Sequence, residues 1–414
     1  MQSKRLLRGK QRMRIKTKYT PYELWESVTF VTASAFLLYS LWFQHVYSSV
    51  NGAFNFFGIA FLGLLILNPG KRGFYRELGF VFAFLGVILL ESLLTARYKA
   101  ESLQWFMTIL KYALPMLVIF LYAGGEIRKL NKILWVIWIA TILLAFNLLL
   151  HPVVTNTGAL SVGKLNVNTL SSFLLLGLMS SLILFFQEDT SKRKRVFLLL
   201  GAVLYTVAQV NAASRRGFLV FAFVIGFVLW ESVQIRNKNS PIAKVLLAVF
   251  IVICGVMIAN LFVEKYADTV LVSRLLGTAT DVAEGDRVRA LLQAGAISLF
   301  ISDPLFGGGL NSVAQVIGVY SHSLYFELLG CTGIIGTVTL LPFFLFNLFF
   351  SIRQLRKHGR ELNRDRDYLA MNEIAFCLAV LISGYAVVFI YDMYFYIMIA
   401  IIASVRKCMN CEAQ

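Results

Sequence analysis

Apolar runs of near membrane-span length recur along this chain from residue 28 to residue 405, and only one gap between them is long. A bilayer core about 30 Å thick takes about 20 apolar helical residues to cross. Only helices and closed barrels satisfy their backbone polar groups there. These runs are continuous rather than alternating, so they read as helices. They fall at 28–46, 54–67, 78–94, 103–123, 133–150, 169–186, 196–210, 218–230, 245–262, 324–350, 374–390 and 394–405. Several are short, so their helices extend into the flanking loops. The expectation is an all-α polytopic membrane protein of about 12 transmembrane helices, with a large loop, 263–321, before the tenth.

Composition agrees. The chain is 58% hydrophobic and 15% charged, against about 45–50% and about 25% for a soluble domain. The net charge of +17 raises nucleic acid as a partner. The basic residues, however, sit in short loops between apolar runs, as the positive-inside rule requires. Residues 1–20 form a polybasic head, expected to be cytoplasmic and close to anionic lipid. Alternating the runs from there puts both termini inside, with 29 of the 39 Lys and Arg on the cytoplasmic side. The large loop then lies outside. The expected organisation is a cytoplasmic head, 1–20; spans one to nine within 21–262; an extracytoplasmic loop with an interfacial helix, 263–321; spans ten to twelve within 322–405; and a cytoplasmic tail, 406–414. No cleavable leader is expected, because the first run follows a long basic head without a small-residue cleavage site. Five cysteines show no disulfide framework, and the tail pair Cys408 and Cys411 has no second pair to complete a zinc site.

Positive charges left outside need a reason. Lys111 falls inside the fourth run. The outside residues are Arg97, Lys99, Lys164, Arg215, Arg216, Lys265, Arg274, Arg287 and Arg289. Arg215 and Arg216 sit in a tight turn between two apolar helices, where charge is costly and points to function, or else snorkels to headgroups. Arg287 and Arg289 open an amphipathic segment whose apolar positions are Val288, Leu291, Leu292, Gly295 and Leu299. DPLFGGGLN ends it. A helix lying in the interface suits a lipid headgroup or serves as a plain anchor. His322 precedes the tenth run and is a natural base near neutral pH. Glu327, five residues on, could orient His322, bind a sugar hydroxyl or pair with an arginine. Gly333 and Gly336 allow close helix packing. Asp365-Arg366-Asp367 has the DxD form of some sugar-nucleotide enzymes, but it lies in a basic cytoplasmic loop and reads better as charge balance. Glu91 and Lys111 are further ionisable groups within spans. No nucleotide-binding or zinc-protease motif is present.

Arginines at the outer face suit a diphosphate, being permanently charged bidentate donors. No ATP is available outside, so the activated donors to hand there are lipid-linked diphosphate sugars. Their leaving group needs charge stabilisation, and the attacking hydroxyl needs a base.

SRRGFLVF (214–221), DRVRALLQAGAISLFISDPLFGGGLNS (286–312) and SHSLYFELLGCTGIIG (321–336), in that order, resemble the bacterial O-antigen ligase and O-antigen or capsule polymerase superfamily. GKLNVNTLSSFLLLG (163–177) is similar to that family's Asn-rich start of a middle helix. The resemblance implies a GT-C-like membrane glycosyltransferase that needs no metal or other cofactor. It implies undecaprenyl-diphosphate-linked oligosaccharides as donor and acceptor, and a flippase and a chain-length regulator as protein partners. The family's Ser-Arg matches Ser214-Arg215, with Arg216 an extra basic residue. Its loop arginine matches Arg287 or Arg289, and its His-Asn becomes His322-Ser323. Within this resemblance His322 is the expected base, with Glu327 the carboxylate nearest it in sequence. Arg215, Arg216, Arg287 and Arg289 are the expected diphosphate ligands. A polymerase is the expected activity, with a ligase acting on a lipid or protein acceptor, or a transporter of lipid-linked sugars, as alternatives.

Overall fold

In the computed structural model, residues 21–47, 58, 76–155, 159–236, 279–357 and 364–411 are described. The polybasic head, the second run apart from residue 58, the ninth run, and Lys265 and Arg274 lie outside the described residues. Ten described helices are long and apolar enough to cross a membrane, and they correspond one for one to the other ten runs.

The helices are α1, Pro21–Leu38, which continues through a π turn, Tyr39–Phe43, and a last turn, Gln44–Val46; α2, Gly79–Leu94; α3, Lys99–Ala123; α4, Ile127–Leu150; α5, Val167–Phe186; α6, Lys192–Ala212; and α7, Arg215–Arg236. After them come α8, Ala279–Ser302; the short α9, Ser312–Ile317; α10, Leu324–Lys357; α11, Arg364–Gly384; and α12, Met393–Cys411. A two-residue antiparallel hairpin, β1 (Val153–Val154) and β2 (Leu160–Ser161), joins α4 to α5.

The last helix lies in the middle. Nearly every residue of α12 is buried, packed against α3 and α11, and α5 is buried almost as fully. By contrast α6 turns Val196, Phe197, Leu199, Leu200 and Val203 outward. In a bilayer such a face needs no polar residues, which is why the runs look alike whether central or peripheral.

The turns assigned outside by the charge alternation meet at one end of the bundle. The Arg97 amide of the α2–α3 turn donates to Gly308 O at 2.9 Å, and the Asn311 amide donates to Tyr391 Oη of the α11–α12 turn at 2.9 Å. Ser214 of the α6–α7 turn donates to Asn168 Oδ1 at 2.9 Å. Basic ends meet at the opposite pole, where Lys132 lies 3.5 Å from Glu26, and the Glu188 amide reaches Asp365 Oδ1 at 3.3 Å. Asp365 and the buried Asp367 occupy the first turn of α11, where acidic groups offset the helix dipole.

One expectation changes. Gly333 does not serve close helix packing; it breaks α10, with φ 57° and ψ −161°. The loop after α8 fills the break. Gly308 and Gly309 amides donate to Gly330 O and Cys331 O, each at 2.9 Å, and the Ile334 and Ile335 amides donate to Pro304 O and Leu305 O at 2.9 and 3.2 Å. A break inside a spanning helix is tolerated where protein re-satisfies the freed backbone groups. A Cβ at Gly307 would stand 2.6 Å from the Cys331 carbonyl carbon, so the triple glycine is what lets the loop press in.

Candidate functional site

A cavity of about 830 Å³ opens at the end of the bundle where these turns meet. Its polar lining comes from the start of α5 (Asn166, Asn168), the first turn of α7 (Arg215, Arg216), Arg289 of α8, and His322. Its other flank is apolar: Leu219, Val220 and Phe223 of α7, and Ile382 of α11. Leu219, Phe223, Ile382 and the neighbouring Tyr385 are exposed on the outer surface of the bundle.

The two α7 arginines are not loop residues, as the sequence suggests. Ala213 ends α6 in the left-handed region at φ 50°, and Ser214 caps the next helix, its Oγ accepting from the Gly217 amide at 3.3 Å. Only two residues therefore separate α6 from α7, and both arginines fall in the first turn of α7, where the helix N-terminus adds positive potential. Successive residues on a helix point about 100° apart, so the pair divides. Arg215 is exposed at the rim, while Arg216 is half-buried. Arg216 donates one Nη2–H bond to Asn168 O at 3.3 Å and lies 5.6 Å from the centroid of the Phe389 ring. Its Nε and Nη1 are buried without a hydrogen-bond acceptor. Unmade donors of a buried guanidinium are expensive, and Asp392 is a nearby acidic group that interacts with this charge. Gly217 permits the close approach: a Cβ there would collide with Ser171 Oγ of α5.

Arg289 lines the cavity and Arg287 does not. Two residues earlier is about 200° around the helix, which turns Arg287 away into solvent. The apolar face of α8 also differs from expectation. Leu292, Ala296 and Leu299 are buried, the last two clustered with Cys331 of α10, while Val288, Leu291, Ile297 and Ile301 are exposed. The helix begins at Ala279 and is flanked by two apolar surfaces, one on protein and one facing outward.

His322 sits in the left-handed region at φ 59°, which costs a non-glycine residue about 1–2 kcal/mol. Its neighbours hold it there. Ser321 and Ser323 are fully buried; Ser321 Oγ donates to Ser323 O at 2.9 Å, and Ser323 Oγ donates to Gly384 O at 3.4 Å. The imidazole is half-buried, 4.5 Å from the Tyr320 ring. Partial burial and the Arg289 charge hold its pKa below the ordinary 6.5, so it is neutral at pH 7 and free to accept a proton.

Glu327 does not line the cavity. It is fully buried; its Oε2 accepts from the Ser321 amide at 2.8 Å, and its Oε1 accepts from Tyr391 Oη at 3.4 Å and Cys331 Sγ at 3.5 Å. It anchors the turn that carries His322 rather than facing the cavity. The chain of contacts continues: Tyr391 Oη accepts from the Asn311 amide, and Asn311 Nδ2 donates to Glu101 at 3.1 Å. Among the other candidates, Glu91 is buried in α2 and Lys111 half-buried in α3, both away from the cavity lining.

Sequence reasoning passed over three contributors. Asn166 and Asn168 lie in the Asn-rich stretch that opens α5; Asn166 caps α5, accepting from the Asn168 amide at 2.8 Å, and Asn168 binds both Ser214 and Arg216. Asp392 lies in the turn just before α12. Burial lifts its pKa to about 7, with the Arg216 charge opposing the rise. Among the described residues no three His, Cys, Asp or Glu side chains gather as a metal centre. The sequence matches no protein-family model and no curated protein.

Proposed function

We propose that the protein is a polysaccharide polymerase of the O-antigen and capsule type, joining undecaprenyl-diphosphate-linked oligosaccharides at the outer face of the cytoplasmic membrane. One observation carries the reading: Arg215, Arg216, Arg289 and His322, from three separate stretches of sequence, line one cavity whose other flank is apolar and faces the surroundings of the bundle. A lipid diphosphate has the matching shape, a doubly anionic head on an apolar chain. The guanidiniums of Arg216 and Arg289, both lining the cavity, suit its phosphate oxygens, with Arg215 at the rim. The apolar chain follows Leu219, Phe223 and Ile382 into the membrane.

In this reading the GT-C-like site works without a metal. His322 takes the proton from an acceptor sugar hydroxyl. The oxygen attacks the anomeric carbon of the donor from the face opposite the diphosphate. The carbon–oxygen bond to the diphosphate breaks, the configuration inverts, and undecaprenyl diphosphate leaves with its added charge held by the arginines. The positive-inside alternation puts this end of the bundle outside.

The test is to incubate purified protein with lipid-linked repeat units and separate the glycans on a gel. A ladder of repeat units supports the polymerase. Transfer to a second lipid or protein acceptor alone would replace it with a ligase. No reaction, with the lipid-linked sugar crossing vesicle membranes, would replace it with a transporter.

A further inference from the structure

A second, smaller groove of about 380 Å³ lies on the flank of the bundle between α4 and α6. It is near the start of α6, whereas the first cavity is near its end, about 30 Å away along the helix. Its walls are Trp135 and Trp138 of α4, and Lys194 and Phe197 of α6. The two indoles meet edge to face with centroids 5.4 Å apart. Trp138 reaches against α6 because residue 201 is glycine; a Cβ there would stand 2.7 Å from the indole. The groove is thus a built notch with an aromatic floor. Phe197 is 63% exposed, with Val196 and Leu200 similarly bare beside it, so this flank faces hydrocarbon.

The mouth of the notch is cationic. Lys192, Arg193 and Lys194 are all exposed, and among the described residues none has an ion-pair partner. Two of the three cations at the start of α4 are already engaged, Lys129 with Glu126 at 2.8 Å and Lys132 with Glu26 at 3.5 Å. From Lys194 to Gly201 is about 10 Å along the helix, enough to run from a headgroup phosphate into the upper acyl region. Aromatic and basic side chains together are what a membrane interface selects.

We propose that this notch is a binding site for an anionic glycerophospholipid of the leaflet at the basic end. The phosphate sits on Lys194, and an acyl chain lies along Trp135, Trp138 and Phe197. The site is separate from the glycan chemistry and would anchor the α4–α6 flank against which the buried α5 packs.

The test uses the full chain, purified in detergent, with phosphatidylglycerol or phosphatidylcholine added at equal concentration and retained lipid counted by native mass spectrometry. Phosphatidylglycerol is expected to be retained about five-fold over phosphatidylcholine, and Lys194→Gln to remove most of that preference. Phe197→Ala, at an exposed position, is expected to lower retention of both lipids without unfolding the protein. Equal retention of the two lipids by the native protein, or an unchanged preference in Lys194→Gln, overturns the proposal. So does concentration-dependent dimerisation that Phe197→Ala abolishes, which would assign the notch to a second copy of the chain.

Discussion

The Ser321 amide donates to the Glu327 carboxylate across 2.8 Å, and this bond ties the residue before His322 to the first turn of α10. Because both partners are fully buried, water cannot replace either. Glu327→Ala is expected to cost about 1–3 kcal/mol by stranding a buried amide. Glu327→Gln keeps a carbonyl acceptor for Ser321 and is expected to restore most of the stability and turnover. Thermal unfolding and glycan synthesis on the two variants check this. Loss of turnover in the glutamine variant with stability intact would instead make Glu327 a proton carrier.

Arg216 and Arg215 are adjacent in sequence but unequal in place. Arg216 carries the buried, unpaired donors, and a hydrogen bond to a charged group is worth about 1.5–3 kcal/mol. Arg216→Gln is expected to weaken binding of undecaprenyl diphosphate at least about ten-fold. Arg215→Gln, at an exposed rim, is expected to weaken it by less than about five-fold. Equal losses in a titration of the two variants would contradict the division.

How legible was this in the sequence? The spans were, since lipid admits only long apolar helices, and each of the ten described helices long and apolar enough to span overlaps an apolar run. Arg216 and Arg289 stood out because charge on the wrong side of a membrane has few bland causes, and His322 as a natural base at the head of the tenth run within the resemblance. What stayed hidden depends on geometry finer than hydropathy. The Ser214 cap decides that both arginines are helical and that Arg216 turns inward. Helical phase alone separates Arg289 from Arg287. Glu327 looked available because nothing local reveals that Ser321, Cys331 and Tyr391 surround it. Gly333 looked like a packing glycine because the loop that fills its break lies some 25 residues earlier, at Pro304–Gly309.

His322 sets a pH dependence. In the proposed mechanism the imidazole acts only when neutral, so kcat/KM is expected to rise with pH through its pKa and level off. Burial and Arg289 hold that pKa below 6.5, so the rise is complete at lower pH than for a free imidazole. Arg289→Gln removes the repulsion and should move the midpoint upward. Rate profiles from pH 5 to 8 on both proteins check the shift, and an unmoved midpoint would show that the two groups do not interact.

Asp392 should mark stability with the opposite sense. Its pKa in the folded protein is raised to about 7, from 3.8, so the folded state holds a proton that the unfolded state has lost. The folded state therefore loses stability as pH rises from about 4 to about 7. Asp392→Asn abolishes that slope. Thermal unfolding of the two proteins at pH 5 and pH 8 checks it: the variant should gain on the native protein at pH 8.

The loop seated in the α10 break is a further point of sensitivity. Gly309 has φ +94°, and a Cβ there would stand 2.5 Å from that of Ala96. Gly309→Ala is expected to cost about 1–3 kcal/mol and to loosen the loop. Faster amide exchange at residues 308–311, with the α5–α6 core unchanged, is the expected signature.

The most direct test of the central claim pairs turnover with donor binding in His322→Ala. Purified native protein should extend lipid-linked repeat units into a ladder. The variant should make no ladder, yet bind undecaprenyl diphosphate within about three-fold of the native affinity, because the arginines remain and the base lies outside the phosphate contacts. A ladder from His322→Ala at an undiminished rate would contradict the account.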